Sequence, residues 1–328
     1  MLKSTAKANT NIALIKYWGK RDERLFLPMN SSLSITLNNF YTITSVEFME
    51  ELTEDKVILN QSPVSATERI KISSFMDVIR RHAGVTLYAN ILTQNHVPTA
   101  AGFASSASGY AALAAAATKA IGLNLSKEEL SRIARQGSGS ASRSIYGGFV
   151  EWERGSRDDG SDCVAHQIID ENSWRLSILS VVITSDQKRV SSREGMKRTV
   201  ETSPFYEGWL DTVDNDIKEA KKAIMVRDFI ALGEVLEHNA LKMHATMLGS
   251  RPPILYWDGG TLDVMHAIHG LRQEGISAYF TIDAGPNIKV LCQPKDEEYV
   301  VNNLMRLEKV QRILRCHPGE GITYLQNE

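Results

Sequence analysis

Apolar and polar positions alternate with period two over residues 32–49, where Leu33, Ile35 and Leu37 and then Ile43 are interleaved with polar residues. That rhythm predicts two half-buried strands joined by a turn at Asn38-Asn39. A short strand follows at Val57-Ile58-Leu59, then a helix from Ile70 to His82 with Phe75, Val78 and Ile79 on one stripe, then a strand from Val85 to Leu92. An alanine-rich stretch, Tyr110 to Ile121, reads as a helix, and Ser126-Lys-Glu-Glu129 is a capping box opening another over Lys127–Arg135, stopped by Gly137. Tyr146–Trp152 reads as a turn followed by a strand, and residues 156–161 as a polar loop. The continuous apolar run Ile178–Thr184 predicts a buried strand. Helical patterns occupy 204–247 and Leu262–Arg272, strands Ala278–Ile282 and Ile288–Leu291 flank a turn at Asp283–Asn287, a helix covers Asp296–Leu307, and Val310–Arg315 reads as a closing strand. Strands and helices mix without a strict βαβ rhythm, so the expected class is α+β, in two domains, 1–184 and 185–328.

Composition narrows the function classes. The 328 residues are 43% hydrophobic and carry a net charge of −2, so there is no global basic field for nucleic acid. Three cysteines, Cys163, Cys292 and Cys316, are too widely spaced for a metal knuckle and odd in number, which fits a reducing cytoplasm rather than a disulfide framework. The first eleven residues lack the apolar core of a signal peptide, and no apolar run reaches the length of a bilayer span.

Four segments concentrate unusual chemistry. Pro98-Thr-Ala-Ala-Gly-Phe-Ala-Ser-Ser-Ala-Ser-Gly109 is a small-residue loop running into a helix, whose first N–H groups and positive dipole end suit phosphate. It lacks the Lys of a P-loop, and the same composition also suits a tight, ligand-free helix start. Ser105, Ser106 and Ser108 add hydroxyls, and one of them could ligate Mg²⁺. Asn11-Ile-Ala-Leu-Ile-Lys-Tyr-Trp-Gly-Lys-Arg21 sets Lys16, Lys20 and Arg21 beside Tyr17 and Trp18, which suits a polyanion or simply the solvated basic end of a strand. Gly137-Ser-Gly-Ser-Ala-Ser-Arg143 offers Ser138, Ser140 and the planar fork of Arg143, or a plain C-cap and loop. Asp283-Ala-Gly-Pro-Asn287 places an acid at a strand end, where it could orient a hydroxyl or merely close an Asx-turn. His238, His244, His266 and His269 have no clear third ligand and read as surface or core histidines, and Trp257-Asp-Gly-Gly260 reads as a turn.

In this order, NIALIKYWGKRDE, LPMNSSLS, PTAAGFASSASGYAALA, GSGSASRSIYGGFVEW and DAGPN resemble the diphosphomevalonate decarboxylase family, within the GHMP kinase superfamily. The resemblance runs from Asn11 to about Asn287. It implies a ribosomal-protein-S5-like N-terminal domain, a ferredoxin-like C-terminal domain, and an active site in the cleft between them. It implies ATP with Mg²⁺, a homodimer, and conversion of mevalonate 5-diphosphate to isopentenyl diphosphate with ADP, phosphate and CO₂. Carried over by position, Asp283 faces the C3 hydroxyl as base or orienting anion, assisted by a lysine for which Lys188 and Lys71 are the candidates. Arg143 holds the substrate carboxylate with support from Asn11. Tyr17, Lys20, Ser138, Gly139, Ser140, Ser192 and Arg193 bind the 5-diphosphate. Pro98, Ala101, Gly102, Ala104, Ser105, Ser106, Ala107 and Ser108, with Lys71, hold the nucleotide, and Ser106 is the candidate Mg²⁺ ligand. Two alternatives stay open: a relative that phosphorylates without decarboxylating or takes the monophosphate, and a nucleotide-binding protein without turnover. Ser191, Ser192 and Gly195 make residues 185–200 a plausible lid.

Overall fold

A computed structural model describes residues 2–98, 105–184 and 189–326. Its first half is built on β1 (Lys3–Ile15), β2 (Lys20–Asp22), β3 (Leu27–Pro28), β4 (Ser32–Met49), β5 (Lys56–Leu59), β6 (Ser62–Pro63), α1 (Ala66–Ala83), β7 (Tyr88–Asn95), α2 (Ser105–Ala120), α3 (Lys127–Gly137), β8 (Phe149–Trp152) and β9 (Ala165–Ile169). The second half comprises β10 (Ser177–Val182), α4 (Ser192–Thr202), α5 (Tyr206–Val226), α6 (Phe229–Leu248), α7 (Gly259–Gln273), β11 (Ala278–Ile282), β12 (Ile288–Cys292), α8 (Glu297–Leu304), β13 (Arg312–Cys316) and β14 (Thr323–Leu325). Among the described residues no helix is long and apolar enough to cross a membrane.

The first sheet runs β14-β1-β4-β7-β5-β6, with β8 pairing β4 and β9 pairing β8. One of its faces is covered by α1, α2 and α3. The alanines of α2 from Ala111 to Ala117 are all buried, and their small side chains let the helix lie close against Ala6, Ala8 and Ile91 of the sheet. The second sheet, β11-β12-β10-β13, is antiparallel throughout. Val264 and Ile268 of α7 and Val300 and Leu304 of α8 pack on one face of it. The α5–α6 hairpin lies between the two sheets: Trp209, Val213, Leu232 and Leu236 share one core with Ile12, Leu14 and Ile35 of the first sheet and Tyr279 and Leu291 of the second. The halves are therefore joined by a continuous apolar core.

Several elements differ from the sequence expectation. Residues 32–49 form one long strand, not two. Asn38 and Asn39 are the exposed residues of an irregularity at which β1 pairing jumps from Asn9↔Tyr41 to Asn11↔Thr36. The Asn38 amide and side chain bond the backbone of His317, so those polar residues dock the C-terminal segment instead of turning the chain. The strand β1 is in the sequence expectation only as the alternative reading of the basic cluster, and absent from it are the strands β2, β3, β6, β9 and β14 and the helix α4. The last is capped by Ser191, whose hydroxyl accepts from the Glu194 amide. Trp257–Gly260 is more than a turn, since Asp258 and Thr261 form a reciprocal N-cap on α7. Two strands cross a simple cut at residue 184: β10 pairs with β12 and β13, and β14 returns to β1.

Candidate active site

β1 carries the start of the Asn11–Arg21 segment and delivers Lys16 just beyond its end. Register shifts between Asn9 and Asn11 and between Ala13 and Ile15 re-aim its side chains near the strand end. Asn11 then donates through Nδ2 to the Ser140 carbonyl at 3.0 Å and to the Ser144 hydroxyl at 2.8 Å, while its Oδ1 accepts from Arg143 Nε at 3.3 Å. Arg143 also donates through Nη1 to the Ser32 hydroxyl at 2.6 Å and stacks over Trp152. A buried, unpaired guanidinium would cost several kcal/mol. Here Asn11 and Ser32 compensate only part of that cost, and neither contact uses Nη2. Burial pushes the guanidinium down to about 10, against the attraction of Asp283. The site therefore favours an anionic partner for Arg143.

Asp283 leaves the end of β11 in a turn locked from behind. Asn287 accepts from the Ile183 and Thr184 amides and donates to the Thr184 carbonyl, and the Thr261 hydroxyl donates to the Pro286 carbonyl at 2.8 Å. The carboxylate meets Lys16 Nζ at 2.6 Å. The Lys16 side chain is only 1% exposed, whereas 41% of the Asp283 side chain is open to the cleft, so the lysine is a fixed charge behind an acid that a ligand can reach. Burial alone would raise the Asp283 carboxyl. The charges of Lys16, Lys289 and Arg143, with the Lys16 hydrogen bond, outweigh it and hold the group below the ordinary carboxylate range. Burial pulls the Lys16 ammonium below its usual range, and the Asp283 carboxylate opposes that pull. His244, buried beneath this pair and close to Lys16, is driven down to about 3 and is neutral.

Two anion cradles flank this centre. Two cations lie over the Phe26 ring, Lys20 Nζ at 4.4 Å and Arg193 at 5.6 Å from its centre. Ser192 and Arg193 lie in the first turn of α4, so a helix N-terminus adds to the positive field there. Tyr17 packs edge-on against Trp152 at 4.9 Å, and its buried hydroxyl has no hydrogen-bond partner among the described residues. A Cβ on Gly139 would meet Trp152 at 2.9 Å and Tyr17 at 3.0 Å, which explains a glycine between the two serines. Ser138 links the cradles: its hydroxyl lies 3.3 Å from that of Ser140 and 3.4 Å from that of Ser106. Ser105 and Ser106, exposed in the first turn of α2, open onto a cavity of about 250 Å³. Lys71 stands at its rim, Val57, Ile72, Ile91 and Leu113 supply apolar wall, and Thr44, Thr93 and Asn95 supply polar edge.

The structure brings Asp283, Arg143 and Asn11 near one another and differs from expectation at specific positions. The lysine at Asp283 is Lys16, which the sequence reading placed in a polyanion cluster. Lys71 lies in the cavity beside α2, while Lys188, Ala101, Gly102 and Ala104 lie outside the described residues. Ser108 and Ala107 face inward and are fully buried. The Ser108 hydroxyl is 2.8 Å from that of Thr42 and donates to the Ser105 carbonyl, so it fastens α2 to β4 rather than facing a phosphate. Pro98 is half-buried where the chain leaves β7. Lys16 sits 267 residues from its partner, and no local pattern signals that pairing.

Residues 8–165 match the family model for the diphosphomevalonate decarboxylase-like N-terminal domain, and residues 178–320 that for the mevalonate 5-diphosphate decarboxylase C-terminal domain. The diphosphomevalonate decarboxylase of Saccharomyces cerevisiae is 39% identical over 302 residues, covering 87% of this chain and 76% of that protein. The human protein of that name is 37% identical over 86% of this chain and 76% of its own length. Among solved structures, the mevalonate diphosphate decarboxylase of Staphylococcus aureus superposes with a TM-score of 0.94 at 48% identity, covering 99% of this chain and 98% of that one. A complex of MDDEF with MVAPP, AMPPCP and magnesium superposes with a TM-score of 0.92 at 47% identity, covering 99% of both chains.

Proposed function

We propose that this chain, which belongs to the diphosphomevalonate decarboxylase family, converts mevalonate 5-diphosphate and ATP to isopentenyl diphosphate, ADP, phosphate and CO₂. The observation that supports the reading is the 2.6 Å contact of Lys16 with Asp283, with Arg143 close enough to act on the same carboxylate.

The chemistry asks for three things. A tertiary hydroxyl leaves poorly, so its oxygen must first bond to the γ-phosphorus while the bond to ADP breaks. Phosphoryl transfer is mostly positioning and charge compensation, and a carboxylate held ionised at the hydroxyl meets that need without being a strong base. Asp283 takes this role and orients or accepts the hydroxyl proton, while Lys16 keeps it ionised. The C1–C2 bond then breaks, its electrons form the C2–C3 double bond, and phosphate departs from C3 as CO₂ forms. Arg143 orients the carboxylate for that step, supported by Asn11 and Ser32. The remote diphosphate is gripped by Tyr17, Lys20, Ser138, Gly139, Ser140, Ser192 and Arg193, and that binding energy fixes the reacting carbon.

The nucleotide phosphates lie at the start of α2 with Ser105 and Ser106, near Lys71, and the base enters the 250 Å³ cavity against Ile72, Ile91 and Leu113. Exposed hydroxyl oxygens at a helix start fit Mg²⁺, which Ser106 would hold. The ion neutralises charge on the transferred phosphoryl group. Three free, buried cysteines support a reducing cytoplasmic setting, and we take the active form to be a homodimer.

The test offers the protein mevalonate, its 5-phosphate and its 5-diphosphate, each with ATP and Mg²⁺, and measures ADP, phosphate and CO₂. The diphosphate is expected to give all three in equal amounts. A 3-phosphorylated product without CO₂ would assign a kinase instead.

A further inference from the structure

The segment that delivers Lys16 belongs to the first sheet, yet it is held from the other half of the molecule. The Lys16 backbone N–H donates to Asn239 Oδ1 of α6 at 2.8 Å. Asn239, fully buried, donates in turn through Nδ2 to Asp216 of α5 at 2.7 Å, and Lys242 Nζ donates to the same carboxylate. On the opposite side, the Lys16 carbonyl accepts from Asn30 Nδ2 at 2.7 Å. Both ends of one residue's backbone are thus clamped by buried amides, while its Nζ is tied to the Ala13 carbonyl and Asp283. A buried asparagine whose carbonyl and amide ends are each matched fixes a position far better than apolar packing does.

We propose that Asn239, held by the Asp216–Lys242 ion pair, is a positioning residue that sets the Lys16–Asp283 contact and so couples the α5–α6 hairpin to the activation of the substrate hydroxyl. The inference rests on the assignment of Asp283 above. Asp283 faces Lys16 from the end of β1, Arg143 from the turn after α3, Lys289 from β12 and neutral His244 from α6. Of these, Lys16 alone makes the close contact, and Asn239 touches its backbone rather than any ligand. Loosening it withdraws a positive charge from the carboxylate, which makes Asp283 easier to protonate.

The experiment measures the pH dependence of kcat for Asn239→Ala with mevalonate 5-diphosphate and ATP, alongside melting temperature and diphosphate affinity. The expected result is an acidic limb moved to higher pH by about one unit, so that the loss of kcat relative to the wild type grows as pH falls through that limb, with affinity for the diphosphate changed less than about twofold. A lowered melting temperature with an unmoved acidic limb would overturn the proposal, because a merely structural amide destabilises without retuning Asp283. If Asn239→Ala does not fold, Lys242→Met, whose lysine bonds Asp216 and Thr212, is expected to shift the limb in the same direction by less, and Lys242→Arg to restore it. No shift in Lys242→Met overturns the proposal equally. Asp283→Asn measured in parallel separates the two levels: retained turnover there removes the assignment of Asp283 itself, whereas lost turnover with an unmoved limb in Asn239→Ala removes only this inference.

Discussion

The two ends of the cleft are built in opposite ways. At the chemical end, Lys16, Arg143 and Asn11 are buried and already bonded, and Asp283 has its counter-charge in place before any ligand arrives. At the gripping end, Arg193, Lys71, Ser105 and Ser106 are exposed, Arg193 rests on the Phe26 ring, and Lys20 is covered but already paired with Glu23. Groups that must favour a transition state are best fixed in advance, since any reorganisation they undergo adds to the barrier. Groups that receive a polyanion do better solvated until it comes, because an unpaired buried cation is costly. The difference separates turnover from affinity, and substitutions at the two ends are expected to split kcat from KM.

The largest effect is expected at Asp283. Asp283→Asn keeps the shape and removes the charge, and kcat is expected to fall about a thousandfold with KM for the diphosphate nearly unchanged. A comparable loss in KM alone would move Asp283 to the gripping end. Lys16→Met comes next. It leaves Asp283 beside Arg143 and Lys289 without its nearest cation, and kcat is expected to drop about a hundredfold. The sign in pH follows from the depressed carboxyl: with Asp283 held below the ordinary carboxylate range, the wild-type acid limb is expected there, and losing Lys16 is expected to move it upward. A pH–rate profile showing no upward movement would mean that the 2.6 Å contact is decorative.

How much of this was legible in the chain divides along the same line. The stretch read as loop up to Gly109 is already helical from Ser105, whereas other motifs local in sequence could be read: the capping box at Ser126, the Ser138–Arg143 turn and the acid at the end of β11. Pairings set by tertiary approach could not. Lys16 is followed by Tyr17 and Trp18 in a basic cluster, and nothing nearby says that its ammonium turns inward while Lys20 stays with Glu23 and Phe26. Asn38-Asn39 has turn composition, yet a bulge satisfies the same polar residues and lets β4 continue. Ser105, Ser106 and Ser108 look equivalent on paper. The helical turn sends Ser108 to the Thr42 hydroxyl and leaves the other two exposed.

At the gripping end, Arg193→Ala sharpens the comparison. A charge-assisted contact to a phosphate is worth about 1.5–3 kcal/mol, so KM for the diphosphate is expected to rise about tenfold or more while kcat at saturation holds within about threefold. A kcat loss larger than the KM change would mean that α4 also sets the reacting geometry.

The smallest effect is expected at Ser106, and it tests whether the two ends are joined. Its hydroxyl lies 3.4 Å from that of Ser138, which in turn lies 3.3 Å from that of Ser140 in the diphosphate cradle. Ser106→Ala removes one hydroxyl from an exposed helix start, so the loss per contact is about 1 kcal/mol, or roughly fivefold in KM for ATP. If the serine chain carries no coupling, KM for the diphosphate stays fixed and the same fivefold appears at every diphosphate concentration. If Ser138 relays one cradle to the other, the penalty on ATP shrinks when Ser138→Ala is already present, because the second hydroxyl has then lost its partner. A double-mutant cycle on the two serines, read as KM for ATP at saturating and at low diphosphate, distinguishes these outcomes. Additivity within about 0.5 kcal/mol would leave the cradles as neighbours that share a wall and nothing more.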